Sequence, residues 1–348
     1  MYRACSTWQY EVIAHLIERH WNGQRLGYLT GEKFSEFDDV WADRACWCVL
    51  KSHEGDSRFA SRISEGRALA VYAYRDIRDV VFSLMHKRRV PFETLFRQGM
   101  IHQILVNDRF WTSQPGVLCQ RYESLIADPV AGVEQLAAHL GLSLAPGEAE
   151  GVAGEYSFQA NRQRTETMGF RLRAEGVDLD DPSNTLFYDS RTLLHWNHLR
   201  QGRPGDWRTL ASRRERAILA RLCDRWLADH GYETDTRDRS APREQTGLLA
   251  RSIGLVQGEV AMAKAAIACS LRCATLRHPK VARAVKRGLG MEVDYTSARP
   301  IEGTAAVPGT QARVDVSEGD VPARPHVTSP TPREAPSSRD SSVTGSVG

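Results

Sequence analysis

The residues with the clearest capacity for chemistry lie in Tyr74-Arg75-Asp76-Ile77-Arg78-Asp79-Val80-Val81-Phe82-Ser83-Leu84. An apolar run, Ala68 to Tyr74, leads into an Arg-Asp pair and then into a helical pattern that begins near Asp79. A strand, a tight turn and a helix start in that order place Arg75 and Ser83 to meet one anion. Arginine offers a planar fork of donors suited to phosphate oxygens, and serine adds a hydroxyl one turn into the helix. The helix N-terminus brings free N–H groups and partial positive charge to the same place. The same residues also describe an ordinary buried strand running into a surface helix with solvated charges. This segment alone does not separate the two readings.

Three further segments bear on the choice. Tyr2-Arg3-Ala4-Cys5-Ser6-Thr7-Trp8 is a short polar loop ahead of a helical pattern, Lys51-Ser52-His53 ends an apolar run, and Arg200-Gln201-Gly202-Arg203-Pro204-Gly205-Asp206-Trp207 is a basic glycine loop. Together with the Arg75–Ser83 segment they resemble, in type and in order, the motifs of the sulfotransferases that use 3′-phosphoadenosine-5′-phosphosulfate (PAPS). The first is similar to that family's 5′-phosphosulfate loop, the second to its Lys-Thr-His, and the third to its Arg-Lys-Gly-x-x-Gly-Asp-Trp loop. The resemblance covers roughly the first two thirds of the chain and stops near Asp235.

The resemblance implies a P-loop-like α/β fold, a parallel sheet with helices on both faces, and transfer of a sulfuryl group from PAPS to a hydroxyl or amine. The acceptor is expected to be a small molecule or a glycan. Such a transfer is an in-line displacement in which positioning and charge stabilisation outweigh covalent chemistry. His53 is the candidate general base, since imidazole titrates near neutral pH; a strand-end histidine satisfying local backbone is the alternative. Lys51, two positions earlier on the same strand face, is assigned to the sulfuryl group, with a solvent-facing lysine as the alternative. Arg3 stands where the family usually has lysine and is assigned to the bridging oxygen. Ser6 and Thr7 are expected to cap the helix and bind the 5′ group. Arg75, Ser83 and Arg200, with Gln201 and Gly202, are expected to clamp the 3′-phosphate. Trp8, Tyr122 and Phe158 match adenine-side positions, and core packing accounts for Tyr122 equally well. No metal is expected, and adenosine 3′,5′-bisphosphate is the expected product. Ala4 and Cys5 depart from the family's small hydroxyl residue and glycine, and Cys5 is read as structural.

The elements that must hold these residues follow from pattern. Trp8 to Arg19 reads as a helix with Trp8, Val12, Ile13, Leu16 and Ile17 on one face. Cys46–Leu50, Ala68–Tyr74 and Val117–Gln120 read as short buried strands. Asp128-Pro129 starts a helix that Gly141 ends. Residues 156–197 are polar and read as a lid or surface loop, and His195 and His198 read as local structure. Arg208 to His230 reads as one long amphipathic helix ended by Gly231. The chain is expected to divide into a sulfotransferase domain over 1–235, an appended helical segment over 236–295 and a disordered tail over 296–348. A phosphate loop of this kind should follow a central strand, yet Met1 sits where that strand would end; an upstream start is expected.

Composition is compatible with this picture. The 348 residues carry a formal net charge of only +3, so no global field points to nucleic acid. Seven cysteines at 5, 46, 48, 119, 223, 269 and 273 lack zinc spacing and suit a reducing cytoplasm. No apolar run reaches the roughly 18 residues of a membrane span. The basic stretch Lys280, Arg283, Lys286 and Arg287 allows a membrane contact, though a solvated or packed helix is the simpler expectation. The rival reading is a non-catalytic or degenerate nucleotide-binding protein with an interaction or membrane-tethering tail.

Overall fold

The computed structural model describes residues 1–35, 46–199, 202–234 and 300–301. In chain order they form α1 (Ser6–Trp21), β1 (Gln24–Tyr28), β2 (Cys48–Lys51), α2 (Ser57–Ser64), β3 (Val71–Tyr74), α3 (Ile77–Arg88), α4 (Phe92–Arg97), α5 (Met100–Thr112), β4 (Leu118–Arg121), α6 (Tyr122–Ala127), α7 (Pro129–Leu140), α8 (Glu148–Glu155), α9 (Phe158–Ala174), β5 (Tyr188–Asp189), α10 (Trp207–Leu210), α11 (Arg213–Asp229) and β6 (Pro300–Ile301). Parallel strands separated by helices make this a helix-rich α/β fold, as expected. The strands form three two-stranded parallel ladders, β1–β2, β3–β4 and β5–β6, instead of one continuous sheet. Among the described residues no strand joins β2 to β3. The segment ahead of α1 lies beside both: the Met1 amine donates to Ala73 O at 2.7 Å, and the Tyr2 ring stands 4.3 Å from that of His53.

Local signals explain most element boundaries. The Asp76 carboxylate accepts from Arg78 N (3.0 Å) and starts α3 two residues before Asp79. Asp128 accepts from Ala131 N (2.9 Å), Pro129 opens α7, and Gly141 ends it in the left-handed region at φ 78°. Helix α1 departs from expectation at its start. Its cap is Cys5, at φ 68°, with no side-chain hydrogen bond, and Ser6 is already helical. Residues 158–174, expected as lid or loop, form α9, whose Met168 and Leu172 pack on Leu179. The single helix expected over Arg208–His230 is broken after α10. Ser212 and Glu215 start α11 with a reciprocal capping box, Ser212 N donating to Glu215 Oε2 at 2.7 Å. Strand β1 has no apolar run and was not expected.

Two hydrophobic cores hold the scaffold. One gathers Met1, Tyr2 and Ala4 with β3, α3, α4, α5 and α11. The other gathers Val12, Ala14, Leu16 and Ile17 of α1 with Val49, α7 and α8. In the first, buried Asp108 on α5 accepts from Tyr72 OH (2.9 Å) and Trp226 Nε1 (2.7 Å), tying β3 and α11 to α5. In the second, Gln9 Nε2 donates to Gln120 Oε1 (2.9 Å), and Gln120 Nε2 to Gly132 O (3.1 Å), linking α1, β4 and α7. No helix among the described residues is long and apolar enough to cross a membrane. The helical segment and tail expected beyond residue 235 lie outside the described residues, apart from Pro300–Ile301.

Candidate functional site

The β1–β2 ladder aims the candidate base. A register shift between Arg25 and Gly27, with Gly27 at φ 76°, brings Tyr28 opposite Lys51. Lys51 is the last residue of β2, and the chain continues through Ser52 to His53. The Tyr28 and Tyr2 rings flank the imidazole at 5.8 and 4.3 Å. His53 Nδ1 and Ser52 Oγ are buried without a hydrogen-bond partner among the described residues. Burial, with Lys51, the chain N-terminus, Lys87 and His195 adding like charge, pushes the His53 imidazolium well below the ordinary histidine value. The ring is therefore neutral at physiological pH.

Around the N-terminus of α1, several cations and hydroxyls meet. Lys51 Nζ donates to Thr7 Oγ1. Arg3 Nε donates to Ser83 Oγ at 2.9 Å, and its Nη2 to His198 O. Thr7 Oγ1 also lies 3.4 Å from His198 Nε2. Burial, reinforced by Arg3 and opposed by Glu11, pushes the Lys51 ammonium down to about 7. The cap residue Cys5 tolerates the left-handed backbone, and burial drives its thiol up to about 12, against Arg75 and Arg3. A thiol so far from ionising is no nucleophile, consistent with a structural role. Ser6 opens the helix in the same turn.

A second group forms where β3 and β4 end. The Arg75 guanidinium stands 4.1 Å above the Tyr122 ring and donates to Arg203 O at 3.0 Å. Tyr122 OH donates to Gly202 O at 2.8 Å. Asp79 fastens the glycine loop to α3, accepting from Gly205 N (2.7 Å) and Trp207 N (3.0 Å) with Arg75 Nη2 at 3.4 Å. Burial still outweighs these donors and raises the Asp79 carboxyl above its usual value. Gly202, at φ 68°, has no room for a side chain: a Cβ there would stand 2.9 Å from Phe158 Cε2. Arg75 Nε is buried without a partner among the described residues.

Arg3, Thr7, Lys51, Ser83 and His53 thus meet at one end of the site, and Arg75, Tyr122, Phe158 and Gly202 at the other. Ser83 joins Arg3, one turn and more along α3 from the Arg75 group with which it was expected. The edge of the Trp8 indole packs toward Gly132 and the second core. Arg200 and Gln201 lie outside the described residues. His198 and Asp79 belong to the site, with His195 and Lys87 at its border, and none was singled out as such from sequence. The spacing of Ser83 and Lys87, one helical turn, was the available signal for Lys87. Among the described residues no group of three or more His, Cys, Asp or Glu side chains is placed to hold a metal ion.

The family model for the sulfotransferase domain matches residues 41–231, more than half of the chain. The match takes in Lys51, His53, Arg75, Ser83, Tyr122 and the glycine loop, and leaves the Arg3–Trp8 loop outside it. Among solved structures, mouse sulfotransferase SULT7A1 complexed with PAP is 16% identical, with a TM-score of 0.47 over 66% of this chain and 82% of that one. Retinol dehydratase in complex with androsterone and inactive cofactor PAP is 18% identical, with a TM-score of 0.43 over 69% of this chain and 81% of that one. No curated protein matches the chain significantly.

Proposed function

The chain belongs to the sulfotransferase domain family, and from that premise we propose that it moves a sulfuryl group from PAPS to a hydroxyl or amine of a small molecule or glycan. The observation that carries this reading is the two-ended arrangement of the site. Cations and hydroxyls gather at the N-terminus of α1 with His53 beside them, and Arg75 and Tyr122 grip the Gly202–Arg203 backbone at the other end. Arg75 Nε and His53 Nδ1, buried without a partner among the described residues, fit a ligand with an anionic oxygen at the Arg75 end and a hydroxyl or amine at the His53 end.

In this reading neutral His53 takes the proton of the acceptor hydroxyl or amine. The freed lone pair bonds to sulfur as the bond from sulfur to the 5′-phosphate oxygen breaks, and that oxygen keeps the electron pair. Arg3 and Lys51 meet the charge that develops there, together with the N–H groups of Ser6 and Thr7. An arriving anion raises the Lys51 pKa from about 7, so the ligand itself secures the charge that binds it. Arg75, Tyr122 and Gly202 hold the 3′-phosphate, and Phe158 lies on the nucleotide side. The reading carries with it a cytoplasmic setting, where free thiols persist.

Calorimetric titration with adenosine 3′,5′-bisphosphate, with adenosine 5′-monophosphate as control, tests the nucleotide site. Binding that depends on the 3′-phosphate, followed by turnover of PAPS with an acceptor, is the expected result. A folded chain that binds neither nucleotide would sink the reading and favour a degenerate relative.

A further inference from the structure

Lys87 has no place in the chemistry described so far. It lies one turn beyond Ser83 on α3, about 6 Å further along the helix axis. Among the described residues no carboxylate pairs with its ammonium. Instead its charge bears on His53, His195 and His198, while Asn197 Nδ2 donates to Lys87 O at 3.2 Å and holds the 195–198 segment against this turn. His195 Nδ1 is buried without a partner among the described residues, and the His195 and His198 rings stand 5.9 Å apart. His198 is tied to the Arg3 side through its carbonyl, and its Nδ1 lies 3.5 Å from His195 N.

We propose that Lys87, with His195 and His198, recognises a negatively charged group on the acceptor, so that the molecule receiving the sulfuryl group is itself an anion carrying a carboxylate, phosphate or sulfate ester. This rests on the sulfotransferase reading above. Three observations support it. The anions of the nucleotide have their own partners, at the N-terminus of α1 and at Arg75, and Lys87 lies beyond Ser83 in the direction away from Arg75. Asn197 bonds the turn of Lys87 to the 195–198 segment, which meets Arg3 through the His198 carbonyl, while Arg3 also meets Ser83 one turn before Lys87 on the same face of α3; Lys87 is thus on the Arg3 and His53 end of the site. Finally, an unpaired ammonium beside a general base weakens that base, and an acceptor anion paired with Lys87 removes the penalty.

Burial is the main cause that pushes the Lys87 ammonium well below the usual lysine value, with Arg3 and Lys51 adding to it. The simpler role for a lysine in the last turn of a helix is to complement the helix dipole. The same turn carries Arg88 and His86, and of the three Lys87 is the one that stands a turn beyond Ser83 on its face of α3.

The test uses the full chain saturated with adenosine 3′,5′-bisphosphate and two fluorescent probes that share a ring and a hydroxyl, 2-naphthol and 6-hydroxy-2-naphthoate. The wild-type complex is expected to bind the carboxylate about tenfold to a hundredfold more tightly than the naphthol, the contribution of one charge-assisted hydrogen bond. Lys87→Gln should erase that preference, Lys87→Arg should restore much of it, and bisphosphate affinity should stay within about twofold in both variants. Equal affinity for the two probes, no affinity for the carboxylate, or a preference that survives Lys87→Gln overturns the proposal while leaving the nucleotide site intact. Loss of bisphosphate binding in the wild type would overturn the sulfotransferase reading and this inference together.

Discussion

Arg75 and Tyr122 act on the same short piece of backbone: the guanidinium lies 4.1 Å above the phenol ring, and the two side chains donate to the adjacent carbonyls of Arg203 and Gly202. The stack fixes the fork of Arg75 in one plane, with Nε left over for a ligand oxygen. Arg75→Ala is expected to lower affinity for adenosine 3′,5′-bisphosphate by about tenfold to a hundredfold. Affinity for adenosine 5′-monophosphate should change by less than about twofold. Calorimetry on both ligands decides the matter, because equal losses would remove Arg75 from the 3′ end.

His53 is held between two tyrosine rings and touches no part of the Arg75 group. His53→Ala should reduce sulfuryl transfer by ~10²–10⁴-fold, the usual contribution of a general base. Bisphosphate affinity should hardly move. A variant that loses affinity in parallel with rate would show His53 to be a packing residue between Tyr2 and Tyr28.

The low pKa of Lys51 makes nucleotide binding pH-dependent. In the free protein Lys51 loses its proton near 7, and a bound anion favours the protonated form, so binding takes up a proton above that pH. Affinity for the bisphosphate is therefore expected to be level below about pH 7, once the phosphates are ionised, and to fall by up to about tenfold per pH unit above it. Calorimetry between about pH 7 and 9 in two buffers of different ionisation enthalpy reads both the affinity and the proton. Affinity that rises across that range would contradict the assignment of Lys51 to the anion.

Asp79 is only 2% exposed and holds the glycine loop by two backbone bonds. Asp79→Ala leaves Gly205 N, Trp207 N and Arg75 without their acceptor, at a cost of about 3–5 kcal/mol in stability. The midpoint of urea unfolding should drop while its slope stays constant. Bisphosphate affinity should fall as well, since Gly202 and Arg203 lose their anchor. An unchanged midpoint would mean that the loop is held by other contacts.

Much of this was legible in the sequence, and the failures have identifiable causes. Asp128-Pro129 with Gly141 marked both ends of a helix because each residue acts through local backbone chemistry, and the structure keeps both. The strand ends at Lys51 and Tyr74 and the helix that carries Ser83 were legible because a buried apolar run followed by polar residues marks where a strand stops. The packing of Trp8 on Gly132 was not legible, since an indole ahead of a helix suits stacking on a base and packing on a neighbouring helix equally well. The Ser212–Glu215 capping box was present in the sequence but was hidden inside an amphipathic pattern that runs through Arg208–His230. Ser83 and Lys87 form the instructive pair. Their helical spacing is evident, but the partners that define them, Arg3 and the 195–198 segment, are brought together only by tertiary folding. Strand β1 was invisible because Gln24-Arg25-Leu26-Gly27-Tyr28 has neither an apolar run nor strict alternation, and its place is set by pairing with β2.

The passage from the Arg3 loop into the helix of Thr7 joins the two hydrophobic cores. Met1, Tyr2 and Ala4 are packed into one, and the helix that follows is packed into the other. Among the described residues no ladder runs from β2 to β3, and side chains make the connection: Val71 and Leu118 pack with the core of Val49, and Gln9 Nε2 donates to Gln120 Oε1. A ligand held at once by Thr7, Lys51 and Arg75 would act as a rivet through that seam. By adding bonds on both sides of it, such a ligand would slow amide exchange in the β1–β2 and β3–β4 ladders together.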